Sequence, residues 1–289
     1  MTDGFEQLAR DVRVRARVGA RVMAHRDHPL PDFVIIGAQR SGTTNLYRHL
    51  ALHPQVRSPL RKEIQFLSLN WERGLPWYRR HFPVRAGGMA EQTFEASPYY
   101  LLHPQAPVRA AAALPEARFI ALLREPVARA TSHYLHNRRA GIEPLSFERA
   151  LDLETARLHG ETAGPNHRRY SYVTRGLYAE QIRRWQDAVG DRLLVVLSED
   201  YFQTPVSTFS QLLSFLGLPE WAPDAFLSDG PGHARPGDVS EGVRRRLQER
   251  FAAPNRELAE LLGRDLSAWA DSTSSPVPIS PRPLPAGLR

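Results

Sequence analysis

The stretch Phe33-Val34-Ile35-Ile36-Gly37-Ala38-Gln39-Arg40-Ser41-Gly42-Thr43-Thr44 decides the fold of this chain. Its four leading apolar residues, mostly β-branched, predict a short strand buried on both faces, as in a parallel sheet. Two glycines then bracket a polar turn, and a helix is predicted to begin at the paired threonines. A strand followed by a glycine-bearing loop and a helix N-terminus forms a phosphate-binding unit, because the N–H groups of the loop and of the first helical turn converge on an anion.

This loop has the spacing of the nucleoside-triphosphatase loop with one departure. That loop carries lysine directly after its second glycine, to reach the terminal phosphates. Here Thr43 occupies that position, and the cation lies earlier, at Arg40. An ordinary tight turn is the alternative interpretation, but the arginine, the serine and the two threonine hydroxyls favour an anion site. The loop therefore predicts a phosphate-bearing ligand other than ATP–Mg²⁺.

The rest of the chain alternates predicted strands with predicted helices. Further strands are predicted within 53–57 and at 93–95, 119–123 and 193–197. Helices are predicted at about 43–52, 104–113, from 126, across 146–190 with a loop near 160–170, at 205–216, at 240–251 and, beyond Pro254, to 262. This alternation predicts an α/β fold: a single doubly wound, P-loop-like domain with a central parallel β-sheet of about five strands flanked by helices.

The predicted domain covers residues 32–268. Residues 1–31 are predicted to contribute a basic amphipathic N-terminal helix. The Ser- and Pro-rich residues 269–289 are predicted to be a disordered tail.

Composition narrows the classes of function. With no cysteine among 289 residues, the chain has no disulfide framework, thiolate nucleophile or cysteine-bound zinc. A net charge of +7 indicates an anionic partner. No dense basic block is interleaved with aromatic residues, so we expect a small polyanionic ligand or an acidic acceptor and no nucleic acid. No apolar run has the length of a transmembrane segment and no signal peptide is apparent, which predicts a cytoplasmic location.

Two further positions suggest chemistry. Lys62 is the only lysine in the chain and stands beside Glu63, just past a predicted strand. Lysine offers a compact, mobile charge where arginine offers a fixed fork, although a surface ion pair with Glu63 is an equal alternative. Arg124 ends the fourth predicted strand, where a triphosphatase would place an aspartate for Mg²⁺. With Ser132 on the following helix, Arg124 could hold a second phosphate.

Together, three segments resemble the sulfotransferases that use 3′-phosphoadenosine 5′-phosphosulfate (PAPS). Residues 37–44 are similar to the 5′-phosphosulfate loop of that family, and residues 124–134 are similar to its 3′-phosphate motif. Residues 62–66 stand where the glycan-modifying members carry a catalytic glutamate. The resemblance is strongest to the sulfotransferase domain of heparan sulfate N-deacetylase/N-sulfotransferase and to the glucosaminyl 3-O-sulfotransferases, and it covers about 33–265.

The resemblance implies PAPS as the donor, 3′-phosphoadenosine 5′-phosphate (PAP) as the product, and no metal. It implies that Arg40 contacts the phosphosulfate and stabilises the leaving phosphate, and that Arg124 and Ser132 hold the 3′-phosphate. The 5′-phosphate would be held by backbone amides and hydroxyls of the loop, from Ser41, Gly42, Thr43 and Thr44.

The resemblance also implies the remaining roles. Glu63 would be the general base, and Lys62 would orient Glu63 or bind an acidic acceptor. Gly232 and His233 align with a segment that closes on the 3′-phosphate in the glycan enzymes; the lysine of that segment is absent here, and Arg235 could substitute for it.

The expected function is sulfuryl transfer to a hydroxyl, or as second choice an amine, of a sugar or small natural product. A histidine base is an alternative to Glu63, with His49, His103 and His133 as candidates. Two other functions stay open: a P-loop kinase or nucleotidase, and a non-enzymatic module that binds a polyphosphate or nucleic acid. A kinase would require Mg²⁺, whereas a binding module would tolerate the loss of Glu63.

Overall fold

The structure, a computed structural model, describes residues 28–84, 91–227 and 239–270. Most of the predicted N-terminal helix and nearly all of the predicted C-terminal tail lie outside these ranges. The predicted 3′-phosphate clamp at Gly232, His233 and Arg235 also lies outside them.

A parallel β-sheet is the centre of the described chain. Its five strands have the order β2-β3-β1-β4-β5, and every neighbouring pair is parallel. The strands are β1 (Phe33–Gly37), β2 (Val56–Arg57), β3 (Gln92–Ala96), β4 (Arg118–Leu123) and β5 (Leu193–Leu197). The predicted α/β class and the five parallel strands are confirmed.

Helices connect the strands and cover both faces of the sheet. In chain order the helices of the described residues are α1 (Thr43–Leu52), α2 (Gly74–Arg79), α3 (Ala106–Ala113), α4 (Pro126–Arg139), α5 (Phe147–Leu158), α6 (Pro165–Tyr170), α7 (Tyr178–Val189), α8 (Ser198–Gln203), α9 (Pro205–Leu216) and α10 (Glu241–Leu262). Short 3₁₀ turns lie at Trp71–Arg73, Thr174–Gly176, Gly190–Arg192 and Ser267–Trp269. No helix within the described ranges is long and apolar enough to cross a bilayer.

The central strand β1 explains why its apolar run is continuous. Val34 and Ile36 pack into one buried cluster, and Phe33 and Ile35 pack into a second cluster on the opposite face. Successive side chains of a strand alternate between the two faces, so a strand covered on both sides needs apolar residues at every position. All four of these side chains are fully buried. The strand thereby fixes the position of the loop that follows it.

The helix near the C-terminus differs from the prediction. We predicted a break at Pro254, but α10 continues through it from Glu241 to Leu262. Val243, Leu247, Phe251 and Leu258 are its buried residues, and they lie on one side of it. A proline removes one hydrogen bond of a helix and strains its turn; here the buried side chains before and after Pro254 hold both halves against the domain and offset that cost.

The segment near 160–170, predicted as a loop, contains a helix. Pro165 occupies the first turn of α6, where the missing N–H costs nothing. Glu161 accepts a hydrogen bond from the backbone N–H of Asn166 at 2.8 Å, which satisfies one donor of the first turn. The Gly- and Pro-rich composition of this segment indicated a loop. That composition does not show the contact from Glu161, which lies outside the helix.

Candidate active site

The loop between β1 and α1 has the geometry of an anion site. Gly42 is the N-cap of α1 with φ 91°, and a Cβ added there would lie 2.8 Å from the ring of Phe202. Glycine is therefore required for the backbone angle and for the space. No side chain caps the N-terminus of α1 in the part of the chain that the structure describes. The first-turn N–H groups and the positive end of the helix dipole are thus left for a ligand.

Ser41 adds a second feature that fits an anion. Its Oγ is buried and has no hydrogen-bond partner among the described residues, and its carbonyl accepts a hydrogen bond from Ser198 Oγ at 2.7 Å. An unpaired buried hydroxyl costs free energy unless a ligand or water satisfies it. The loop is therefore held from below by α8 and offers an unused hydroxyl.

Arg40 joins the loop to the second predicted phosphate site. Its Nε donates to Ser132 Oγ at 3.1 Å, and its carbonyl accepts from the guanidinium of Arg124 at 3.1 Å. These partners are 92 and 84 residues away in the sequence. The backbone of Arg40 has φ 72°, a left-handed conformation in which it still forms both contacts. The structure thus brings together the three residues that the sequence placed at two different phosphates.

The backbone of Arg124 is fixed where β4 ends. Its carbonyl accepts a hydrogen bond from the hydroxyl of Tyr178 at 2.9 Å. The next residue, Glu125, caps α4 by accepting from the N–H groups of Val127 and Ala128, and its own N–H donates to Glu199. Burial raises the pKa of Glu125 to about 7, against the opposing effect of the helix N–H groups. These contacts hold the base of the Arg124 side chain at the carboxyl edge of the sheet.

Lys62 lies against the phosphate loop. Its Nζ donates to the hydroxyl of Thr44 at 2.6 Å. Burial lowers the pKa of Lys62; Glu63 opposes this shift, while Arg48 and Arg40 lower the pKa further. Lys62, Arg40 and Arg48 thus lie close enough to the loop to influence one another's charge. A site of this kind binds phosphate groups in preference to neutral ligands.

Glu63 is the carboxylate of this cationic region. Its side chain is exposed, and its Oε2 accepts a hydrogen bond from Gln65 Nε2 at 3.3 Å. The backbone N–H of Glu63 donates to the carbonyl of Ala96 at 3.0 Å, which ties this segment to the end of β3. Glu63 and Gln65 both have left-handed backbones, with φ 58° and 59°. An exposed carboxylate beside the phosphate loop can take a proton from an acceptor.

The three histidines considered as alternative bases are buried. His49 accepts a hydrogen bond at Nε2 from the N–H of Leu227 and contacts Tyr201, and burial lowers its pKa to about 4. Burial and nearby positive charge lower the pKa of His103 to about 4 and that of His133 well below its ordinary value. A base must reach the acceptor, so this geometry favours Glu63.

His136 lies near the candidate site, and the sequence reasoning did not name it. Burial lowers the pKa of His136, Arg40 and Arg139 lower it further, and Glu63 opposes the shift. His136 therefore lies within electrostatic reach of both Arg40 and Glu63. The signal was available, since His136 follows Ser132 by four residues, a spacing that places both side chains on one face of α4.

The fold and site define an α/β protein with a candidate anion site at the carboxyl edge of its sheet. Residues 30–226 match the family described as the sulfotransferase domain, and the chain therefore belongs to this family of group-transfer enzymes. A solved sulfotransferase from Alicyclobacillus acidocaldarius superposes with a TM-score of 0.71 at 32% identity, over 83% of this chain and 99% of that one.

Two human relatives are similar in sequence. Bifunctional heparan sulfate N-deacetylase/N-sulfotransferase 3 is 33% identical over 202 residues, which are 65% of this chain and 22% of the relative. Heparan sulfate glucosamine 3-O-sulfotransferase 6 is 31% identical over 258 residues, which are 81% of this chain and 72% of the relative. The chain thus spans about a fifth of the bifunctional relative. The resemblance inferred from the motifs is confirmed.

Proposed function

We propose that this protein transfers the sulfuryl group of PAPS to a hydroxyl, or as second choice an amine, of a glycan or small natural product. The observation that carries this proposal is the double contact of Arg40 with Ser132 and Arg124. These contacts bring the residue proposed for the phosphosulfate next to the residues proposed for the 3′-phosphate. A donor with phosphates at both its 5′ and 3′ positions requires two such sites close together.

The binding roles follow from the loop and from α4. The N–H groups of the first turn of α1 and the unpaired hydroxyl of Ser41 would hold the 5′-phosphate, with Gly42 allowing close approach. Arg124 and Ser132 would hold the 3′-phosphate. Two further hydroxyls for the 5′-phosphate come from the start of α1, at Thr43 and Thr44.

The chemistry would be divided between a base and two cations. When bound, PAPS supplies an activated sulfuryl group. Glu63 would take the proton of the attacking hydroxyl onto its carboxylate, which makes the acceptor oxygen a better nucleophile. Arg40 and Lys62 would stabilise the negative charge that develops on the departing phosphate. The hydrogen bond from Lys62 to Thr44 supports this role, because it places the ammonium at the phosphate loop.

The predicted clamp at Gly232, His233 and Arg235 stays part of the proposal. Leu227, the last described residue before this segment, is held to α1 by two hydrogen bonds. Its N–H donates to His49 and its carbonyl accepts from Asn45. The chain therefore leaves the described residues beside the helix that begins at the phosphate loop.

Donor binding is tested by following the melting temperature of the protein against increasing PAP in the presence of EDTA. A ligand that binds only the folded state stabilises it by about 2.7 kcal/mol at a concentration of 100 times its Kd. We expect a rise with PAP, and little rise with ATP–Mg²⁺ in a separate titration without EDTA. A rise with ATP–Mg²⁺ alone would instead identify a kinase or nucleotidase.

Transfer is tested with ³⁵S-labelled PAPS and a panel of acceptors. Because the relatives are named for heparan sulfate, the panel begins with unsulfated oligosaccharides of glucosamine and glucuronic acid, followed by neutral amino sugars and small phenols. We expect label on at least one acceptor, without added metal. PAP binding with no transfer to any of these classes would favour the non-enzymatic module.

A further inference from the structure

A buried carboxylate lies beneath the loop that carries Glu63. Glu95, the second-to-last residue of β3, is fully buried, and it forms no ion pair within the described residues. Its Oε1 accepts from the hydroxyls of Tyr78 and Tyr100, both at 2.7 Å. Its Oε2 accepts from Ser97 Oγ at 3.1 Å, and the backbone N–H of Ile64 also donates to this carboxylate. Four donors thus converge on one side chain.

Two of the three hydroxyls that donate to Glu95 also accept hydrogen bonds from the backbone of residues 63–67. Ser97 Oγ accepts from the N–H of Gln65 at 3.1 Å, and the hydroxyl of Tyr100 accepts from the N–H of Leu67 at 3.1 Å. A hydroxyl that gives its proton to a carboxylate has its lone pairs left for a backbone N–H. Glu95 therefore sets the direction of every one of these hydrogen bonds.

The loop needs such support because its backbone is unfavourable by itself. Glu63 and Gln65 both occupy the left-handed region, which costs free energy for residues other than glycine. The N–H groups held by the network belong to Ile64, which lies between these two residues, to Gln65 itself, and to Leu67, two residues further on. The network thus fixes the segment on both sides of Gln65 and next to Glu63.

We propose that Glu95 is a positioning residue that holds the 63–67 loop in its left-handed form and so aims the Glu63 carboxylate at the acceptor. This inference rests on the proposed function only for the role of Glu63 as the group that takes the proton. Its structural half, that Glu95 holds the loop, is independent of the reaction.

Protonation of Glu95 would weaken the network. Burial raises the pKa of Glu95 to about 7, while the bonds from Tyr100, Tyr78, Ser97 and Ile64 oppose the rise. The titratable groups that face it are Tyr78 and Tyr100, whose pKa values burial raises well above their ordinary value, so both stay donors. A protonated Glu95 gains an O–H that competes with one of four incoming donors. We therefore expect the loop to loosen as the pH falls through about 7.

Hydrogen–deuterium exchange of the full-length protein tests the structural half. The readout is the protection of a peptide covering residues 62–69, corrected for the intrinsic pH dependence of amide exchange, at several pH values between 5.5 and 8.5, a range of about 1.5 units around the pKa. In the wild type we expect protection to fall below pH 7. Glu95→Gln should exchange about tenfold faster above pH 7, as for the loss of one net hydrogen bond, and should show no pH step.

Glu91→Gln is the matched control. Glu91 lies just before the same strand, is also buried, and pairs with Arg57. This variant should keep the wild-type protection of 62–69 and its pH step. If Glu95→Gln fails to fold, Ser97→Ala and Tyr100→Phe carry the test, because each should expose one loop amide, that of Gln65 or that of Leu67.

The positioning half is tested with ³⁵S-labelled PAPS and unsulfated glucosamine–glucuronic acid oligosaccharide. Glu95→Gln should lower kcat at least tenfold while the KM for PAPS and the PAP-induced melting shift stay at wild-type values. Unchanged loop exchange in Glu95→Gln would overturn the proposal. An active wild type with unchanged kcat in the variant would overturn the positioning role alone. A wild type that neither binds PAP nor transfers label contradicts the proposed function instead, and the exchange result then still decides whether Glu95 holds the loop.

Discussion

Lys62 Nζ lies 2.6 Å from Thr44 Oγ1, so the only lysine of the chain contacts the second threonine of the phosphate loop. In the triphosphatase loop the lysine stands inside the loop itself, directly after the second glycine. Here Thr43 takes that position, and the lysine comes from a segment 18 residues after Thr44. The same charge reaches the same helix N-terminus from outside. Since Lys62 neighbours Glu63, one short segment would supply, under the proposed function, both a cation for the donor and a base for the acceptor.

Replacing Lys62 with methionine tests this arrangement. Methionine keeps much of the length and the apolar stem but removes the charge, so we expect kcat to fall about 10²-fold, as for the loss of one group that stabilises developing charge. The affinity for PAP should fall much less. Steady-state kinetics and a PAP melting titration separate the two effects. Arg61→Met, a neighbouring exposed cation, should leave kcat within about twofold; an equal loss in both variants would contradict a specific role for Lys62.

Glu63→Gln tests the base. The amide keeps the size of the side chain and cannot take a proton, so kcat should fall about 10²–10⁴-fold. The PAP-induced rise in melting temperature should persist, because no donor-binding contact is removed. Glu72→Gln, a nearby exposed glutamate, is the control and should retain activity. Full activity in Glu63→Gln would contradict Glu63 as the base and favour a histidine. His136 lies within electrostatic reach of Arg40 and Glu63.

The parts of the fold that the sequence predicted correctly are those set by local pattern. The apolar run of β1 and the glycines around Arg40 define a strand and a loop with few alternatives, because burial on both faces and a left-handed N-cap each restrict composition. The helix through Pro254 and the helix at 165–170 were missed. The first is held by buried side chains on both sides of Pro254, and the second by a glutamate just before its first turn.

The candidate site also has features that the sequence predicted and features that it did not. The motifs indicated Arg40, Arg124 and Ser132, but not that Arg40 itself bonds to both partners. The support of the Glu63 loop by Glu95 could not be predicted, because its donors come from α2, from the end of β3 and from the loop itself. A buried glutamate in a strand looks unfavourable until these hydroxyls are brought to it by the tertiary fold.

Arg124→Ala tests recognition of the 3′-phosphate. Losing a charge-assisted contact of about 1.5–3 kcal/mol should weaken PAP binding about 10- to 150-fold. Adenosine 5′-phosphate lacks the 3′-phosphate, so its affinity should be nearly the same in the variant and the wild type. Isothermal titration with both ligands makes the comparison.

Arg118→Ala is the matched control for Arg124→Ala. Arg118 begins β4, whereas Arg124 directly follows it, so the two arginines lie at opposite edges of the sheet. PAP affinity should be unchanged in Arg118→Ala. If Arg124→Ala weakens both ligands equally, the arginine supports the loop through the carbonyl of Arg40 and does not read the 3′-phosphate.

His49 gives a prediction about stability and pH. Its Nε2 accepts from the N–H of Leu227 and its Nδ1 lies 2.6 Å from the hydroxyl of Tyr201, which requires a neutral ring. Burial lowers its folded-state pKa to about 4, below the value of 6.5 expected in the unfolded chain. Between these values the unfolded state binds more protons. The contribution of His49 to stability is therefore complete above pH 6.5 and is lost as the pH falls towards 4.

His49→Gln removes this titration while keeping a side chain that can donate and accept. Urea unfolding at pH 7.5 should show the variant to be less stable by about 1–3 kcal/mol, because two buried hydrogen bonds are disturbed. At pH 5 the difference in stability between the wild type and the variant should be smaller. Only the wild type loses stability there, because only it must keep a histidine ring neutral in the folded state. A gap for His49→Gln that is constant or grows at pH 5 would show that the ring is not held neutral by the fold.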